Sequence, residues 1–145
     1  MSSQQKKNAA QASLEFIQPG TTLGVGTGST VNFLIEMLPS VNDLVDAVVS
    51  SSRASTDLLE KHGFKVSTLN EVGGAVDLYV DGADESNKRL QLIKGGGGAL
   101  TREKVIAGAA RRFVCIVDET KLVGMLGGFP LPIEVLPMAQ EFVSR

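Results

Sequence analysis

The sequence predicts an α/β fold in which a mostly parallel, doubly wound sheet carries helices on both faces. Three observations predict it. Short apolar runs of strand length, TLGVG at 22–26, DAVVS at 46–50, VDLYV at 76–80 and FVCIV at 113–117, recur along the chain. Segments of helical character separate them, and strands alternating with helices give right-handed crossovers and a parallel sheet buried on both faces. Glycine is over-used, with 16 residues, eleven of them gathered at 24–28, 73–74, 95–98 and 127–128. Clustering at junctions marks loops where backbone must turn tightly or approach something closely. These features define a Rossmann-like fold.

A first helix is predicted over 5–18, ended by the turn pair Pro19-Gly20. The strand 22–26 follows, then a helix over 31–38 stopped by Pro39. After the strand 46–50 comes a helix over 56–62 with Gly63 as its C-cap signal. Residues 65–68 form a short third strand and 76–80 a stronger fourth. A helix over 99–110 leads into the last apolar strand, 113–117.

The 145 residues are 43% hydrophobic and 21% charged, enough for one domain with a real core. A net charge of −2 gives no general attraction to nucleic acid or to an anionic membrane, so neither is expected as a partner. No run is long and apolar enough to span a bilayer, and the polar N-terminus lacks a signal-peptide core, which makes a cytoplasmic location the expectation. Cys115 is alone and cannot form an internal disulfide; a buried thiol is its expected state.

In a doubly wound sheet ligands sit beyond the carboxyl ends of the strands. The first strand runs into GVGTGST, where Thr27, Gly28, Ser29 and Thr30 open a helix. Such a loop turns backbone N–H groups and hydroxyls toward one anion at a helix N-terminus; a plain tight turn is the alternative. It is not a dinucleotide fingerprint, because the third glycine is missing and Asp46 starts a strand, and it is not a P-loop, because no Gly-Lys-Ser/Thr follows. The fourth strand runs into VDGADE, in which Asp81, Asp84 and Glu85 crowd one turn with Gly82 and Ala83 between them. Recognition of sugar hydroxyls or acid–base work fits this cluster better than a metal, since no patterned oxygen-ligand loop is present and His62 is the single histidine; a solvated Asx turn is the alternative. The last strand runs into VDETK, where Lys121 is placed to meet a phosphate, and the second into Ser50-Ser51-Ser52-Arg53; both signals are unspecific alone.

The stretch QLIKGGGGALTREK carries the chemistry. On a helix over 99–110, Glu103 falls on the stripe of Leu100, Ile106, Ala107 and Ala110, while Arg102 and Lys104 point away. A carboxylate on an apolar stripe has its pKa raised by burial, which makes a base usable near neutral pH; a carboxylate at the stripe's edge pairing with a lysine is the alternative. Gly95, Gly96, Gly97 and Gly98 clear side chains from the approach to Glu103, and Lys94 precedes them as a cation able to stabilise negative charge on a substrate oxygen. Base, cation, bare backbone and anion cradle point to proton abstraction beside a carbonyl on a phosphorylated substrate, through an enediolate.

The segments GVGTGST, SSSRAST, YVDGADE, IKGGGGALTREK and FPLPIEVLPMA together resemble, in order and over nearly the whole chain, the ribose-5-phosphate isomerases of the A type. The resemblance implies interconversion of ribose 5-phosphate and ribulose 5-phosphate in the non-oxidative branch of the pentose phosphate pathway, without a cofactor or metal. It implies that Glu103 moves a proton between C1 and C2, that Lys94 and its neighbouring glycines hold the enediolate oxygens, and that Asp81 and Asp84 bind hydroxyls, with Asp81 helping to open the furanose ring. It further implies that Thr27, Gly28, Ser29 and Thr30 cradle the phosphate, completed by Lys121 and Lys6, and that the full-length protein is a homo-oligomer, a dimer or tetramer. Members of the family continue beyond the position of Arg145 into a small α+β domain. Residues 1–130 are therefore expected to form the Rossmann-like catalytic domain and 131–145 the start of the second, with a tail poorly anchored from about Pro130 and turnover weak or absent in this form. A sugar-phosphate sensor of similar fold is the rival reading, though no basic helix-turn-helix is evident; a dehydrogenase comes third.

Overall fold

The computed structural model describes residues 2–145. Seven strands and five α-helices occur among them: α1 (Ser2–Ser13), β1 (Thr21–Val25), α2 (Ser29–Met37), β2 (Val45–Ser50), α3 (Arg53–Lys61), β3 (Val66–Ser67), β4 (Val76–Asp81), β5 (Glu85–Ser86), β6 (Leu92–Ile93), α4 (Leu100–Ala109), β7 (Ala110–Cys115) and α5 (Gln140–Val143). The main sheet is wholly parallel in the order β3-β2-β1-β4-β7. The chain builds outward from β1 in one direction and then restarts on its other side with β4. The topological switch point therefore lies between β1 and β4, where a doubly wound sheet opens a crevice at its carboxyl edge.

Helices cover both faces. One face buries Leu23, Val25, Val48, Leu78 and Val80 against Ala10 of α1, Val31, Leu34 and Ile35 of α2, and Leu59 of α3. Each fully buried aliphatic side chain of this kind stabilises the fold by roughly 1.5–3 kcal/mol. The other face is thinner: Val49, Val76 and Tyr79 meet Ile106 of α4. Close approach there depends on Gly24, where an added Cβ would lie 2.9 Å from both Ile106 Cγ2 and Tyr79 Cδ2.

Element boundaries differ from the sequence reading for local reasons. The first helix ends early because the Ser13 hydroxyl donates back to the Ala10 carbonyl at 2.7 Å and the chain tightens into a 3₁₀ turn over Leu14–Phe16. Helix α3 starts before 56 because the Ser52 hydroxyl accepts the Ser55 N–H at 3.1 Å as an N-cap. The last strand is displaced toward Ala110, and it is an edge strand with Arg111, Arg112 and Phe113 exposed, so its apolar run does not mark a strand covered on both sides. The short antiparallel hairpin of β5 and β6 was not predicted. Beyond Asp118 no residue is buried.

Substituting Gly24→Ala is expected to lower stability by about 1–3 kcal/mol, the usual effect of overfilling a close-packed site. Urea unfolding of the variant against the parent measures it, and an unchanged midpoint would contradict the contact.

Candidate active site

At the switch point a cavity of about 390 Å³ opens. Its walls come from four loops and three helices. The loop after β1 brings Thr27, Gly28, Ser29 and Thr30; the turn after β4 brings Gly82, Ala83 and Asp84; the stretch after β6 brings Lys94, Gly95 and Gly97; Ala99 and Glu103 come from the start of α4; Lys6 reaches in from α1 and Lys121 from the turn after β7. Thirteen of the fifteen residues singled out in the sequence thus share one cavity, and Asp81 and Gly96 do not line it.

Asp81 lies beneath the cavity, fully buried. A buried carboxylate needs partners, and this one has four. Oδ1 accepts the N–H groups of Thr27 at 3.1 Å and Gly82 at 2.7 Å. Oδ2 accepts the Tyr79 hydroxyl at 2.5 Å and Lys94 Nζ at 3.0 Å. Both of its oxygens are thereby engaged by protein groups. Gly26 exists to admit this carboxylate, since a Cβ there would sit 2.0 Å from Asp81 Cγ. The N–H of Gly96, expected to face a substrate, instead donates to Asp84 Oδ2 at 2.8 Å.

Lys94 is held on its underside as well. Its ammonium donates to the Gly82 carbonyl at 2.5 Å and ion-pairs with Glu103 Oε1 at 3.5 Å. Glu103 is 5% exposed and its Oε2 has no hydrogen-bond partner. Burial pushes the Glu103 carboxyl above its ordinary range, the Asp81 charge adds to the push, and Lys94 opposes it. Leu100, placed on the same stripe by sequence, is instead half-exposed, because its side chain turns to lie over Gly95. Gly95 itself has φ +91°, a backbone conformation that L side chains rarely adopt.

The anion end is built differently. Gly28 caps α2 with φ +114°, and Lys6 Nζ donates to Ser29 Oγ at 3.0 Å. The Thr27 hydroxyl is steadied by Ser52, whose Oγ lies 3.0 Å away. Asp118 accepts the Thr120 N–H at 2.9 Å and thereby shapes the turn that presents Lys121. The Thr120 hydroxyl, together with Lys6 and Lys121, holds the Asp118 carboxyl below its usual range. Two ammonium groups thus converge with a helix N-terminus, an arrangement whose electrostatics suit an anion.

The crowded acidic turn splits three ways. Asp81 points under the sheet edge and Asp84 into the cavity, while Glu85 points elsewhere: its two oxygens accept the N–H groups of Gly127 and Gly128 at 2.7 and 2.9 Å. Among the described residues no group of three or more His, Cys, Asp or Glu side chains is placed to hold a metal, and no helix is long and apolar enough to cross a membrane. The Cys115 thiol is half-buried rather than buried, and burial pushes it up to about 11. Sequence reasoning missed Tyr79, Ala99 and Asp118, and it named Glu85 and Ser52 without their partners. For Tyr79 a signal existed: two residues before Asp81 on one strand, it shares that residue's face.

The family model described as ribose 5-phosphate isomerase A (phosphoriboisomerase A) matches residues 47–145. Ribose-5-phosphate isomerase A of Buchnera aphidicola subsp. Acyrthosiphon pisum (strain Tuc7) is 53% identical over 140 residues, covering 97% of this chain and 62% of the relative. The crystal structure of ribose 5 phosphate isomerase A from Neisseria gonorrhoeae superposes with a TM-score of 0.93 at 45% identity, over 99% of this chain and 64% of that one. Ribose 5-phosphate isomerase A from Methanocaldococcus jannaschii gives a TM-score of 0.88 at 35% identity, over 99% and 65%. The chain therefore spans less than two thirds of the length of these relatives.

The raised carboxyl of Glu103 has a stability signature of definite sign. Its folded pKa exceeds its unfolded one, so its contribution is full below the unfolded pKa and is lost as pH rises through the folded pKa. Glu103→Gln is accordingly expected to stabilise the chain by about 1 kcal/mol at pH 8 and to give no gain at pH 4. Paired urea titrations at the two pH values check this; a gain confined to low pH would reverse the assignment.

Proposed function

The chain belongs to the ribose 5-phosphate isomerase A family, and from that premise we propose that it interconverts ribose 5-phosphate and ribulose 5-phosphate through an enediolate, with Glu103 as the base. The observation that carries this reading is a carboxylate 5% exposed on the cavity wall, with one oxygen unpartnered and the other 3.5 Å from an ammonium. The phosphate lies over residues 27–30 at the N-terminus of α2, between Lys6 and Lys121. That anchor turns the other end of a five-carbon sugar toward α4.

Glu103 takes the proton from C2 of the open-chain aldose. The C–H electrons form the C1=C2 double bond, and the carbonyl oxygen takes the negative charge. The C2 hydroxyl proton passes to the C1 oxygen, which moves the negative charge to the C2 oxygen, and protonated Glu103 then returns its proton to C1 as the C2 carbonyl forms, giving the ketose. The developing oxyanion is stabilised by Lys94, whose longest contact, to Glu103 at 3.5 Å, is the one it relinquishes to a substrate oxygen. Loss of that contact leaves Glu103 more basic at the moment when a base is needed. Asp84, anchored by the Gly96 N–H, offers its free oxygen to a hydroxyl, while Asp81 acts on the sugar only through Lys94. The reading places the protein in the non-oxidative branch of the pentose phosphate pathway.

Incubation with ribose 5-phosphate in deuterium oxide tests the proposal. Slow deuterium incorporation at C2 is expected with the parent chain, in keeping with weak turnover in this form, and Glu103→Gln is expected to slow that exchange by at least about a hundredfold, the usual worth of a positioned base. Exchange undiminished by the substitution would remove Glu103 from the role, and binding without exchange in the parent would make the protein a sugar-phosphate sensor.

A further inference from the structure

We infer that Tyr79 is a positioning residue whose hydroxyl, bonded to Asp81 Oδ2, keeps the Lys94 ammonium shared between Asp81 and Glu103 and so sets the proton affinity of Glu103. The inference rests on the reading of Glu103 as the base. Tyr79 is 0% exposed, in the middle of the core between β4 and α4. Its ring stacks on Phe113 with centroids 5.4 Å apart, and a phenylalanine would fill the same space. What the hydroxyl adds is a donor, and a buried phenol must spend its proton on a partner. It spends it on the same Asp81 oxygen that Lys94 uses, at 2.5 Å against 3.0 Å.

That competition has a direction. Asp81 and Glu103 draw on one ammonium, at 3.0 and 3.5 Å. A hydrogen bond from the phenol lowers the charge that Asp81 Oδ2 presents, so Asp81 takes less of Lys94 and repels the Glu103 carboxylate less. Without the phenol, Oδ2 draws Lys94 toward itself and becomes free to accept a proton from a neutral Glu103. Both effects favour protonated Glu103.

The groups facing this cluster are few. Tyr79 and Asp81 come from β4, Lys94 from the stretch after β6, and Cys115 from β7, where it pairs in register with Asp81. The thiol, pushed up by burial to about 11, is neutral throughout the range in question. The buried Ser51 hydroxyl beside the phenol, at the end of β2, carries no charge. Burial and Asp81 together drive the Tyr79 phenol far above its ordinary value, so it remains a donor at every working pH.

Tyr79 is the single tyrosine of the chain, which makes the test unusually clean. The carboxyl carbon of Glu103, identified by its loss in Glu103→Gln, is titrated by carbon-13 NMR in the 145-residue chain. In Tyr79→Phe its midpoint is expected to rise by about 0.5–1 pH unit, the equivalent of one redistributed buried hydrogen bond. Biosynthetic replacement of the tyrosine by 3,5-difluorotyrosine strengthens the donor and is expected to move the midpoint down, with the fold untouched. Shifts of opposite sign support the inference, and a purely structural role predicts no such pair. A midpoint unmoved by fluorination, or moved the same way by both changes, overturns it. Neither readout requires turnover, so failure here is separable from failure of the isomerase reading, which the deuterium exchange decides.

Discussion

The ion pair between Asp81 and Lys94, 3.0 Å long with the carboxylate fully buried, is the constraint on which the rest of the site depends. Breaking a buried pair by removing one partner typically costs about 3–5 kcal/mol, because the remaining charge is stranded. The pair therefore dictates its surroundings. Three separate loops have to deliver a donor to one side chain: the loop after β1 through the Thr27 N–H, the turn after β4 through the Gly82 N–H, and the stretch after β6 through Lys94. Each loop is thereby fixed relative to the others by a single carboxylate. The bare backbone of Gly26 follows from the same demand, since the carboxyl group occupies the place of its side chain.

Topology explains why these loops meet at all. β1 is flanked by β2 and β4, and the connections from β1 and β4 leave the sheet in opposite senses. The gap they leave at the carboxyl edge is filled on one side by the N-terminus of α2 and on the other by the first turn of α4. One side suits an anion and the other a buried acid. The proposed substrate, a phosphorylated sugar, has two ends that need such unlike surroundings, and the strand order supplies them without any insertion.

Much of this was legible in the sequence because it is carried by local rules. The strand-length apolar runs, the glycine junctions and the hydroxyls of 27–30 announced the sheet and the loop that lines the cavity at the start of α2, and the three- and four-residue spacing from Glu103 to Ile106 and Ala107 announced its inward direction. What stayed hidden depends on contacts between residues far apart in the chain. Asp81 reads as one of three clustered acids until the fold shows that Thr27, 54 positions earlier, takes one oxygen. Glu85 reads as part of the same cluster until Gly127 and Gly128 close on it from more than 40 positions away. Leu100 sits on the apolar stripe by spacing, yet it starts the helix, where the positive-φ turn at Gly95 gives it a different surface to cover. The apolar run 113–117 reads as a covered strand, yet the strand that forms is 110–115, an edge strand whose Arg111, Arg112 and Phe113 are exposed and with whose outer edge nothing among the described residues pairs.

Asp84 and Glu85 are neighbours bound to different loops: the first grips Gly96 beside the cavity, the second grips Gly127 and Gly128. Residues 129–145, none of them buried, leave directly from that second grip. A single peptide unit thus joins the anchor of a wholly unburied segment to the wall of the cavity.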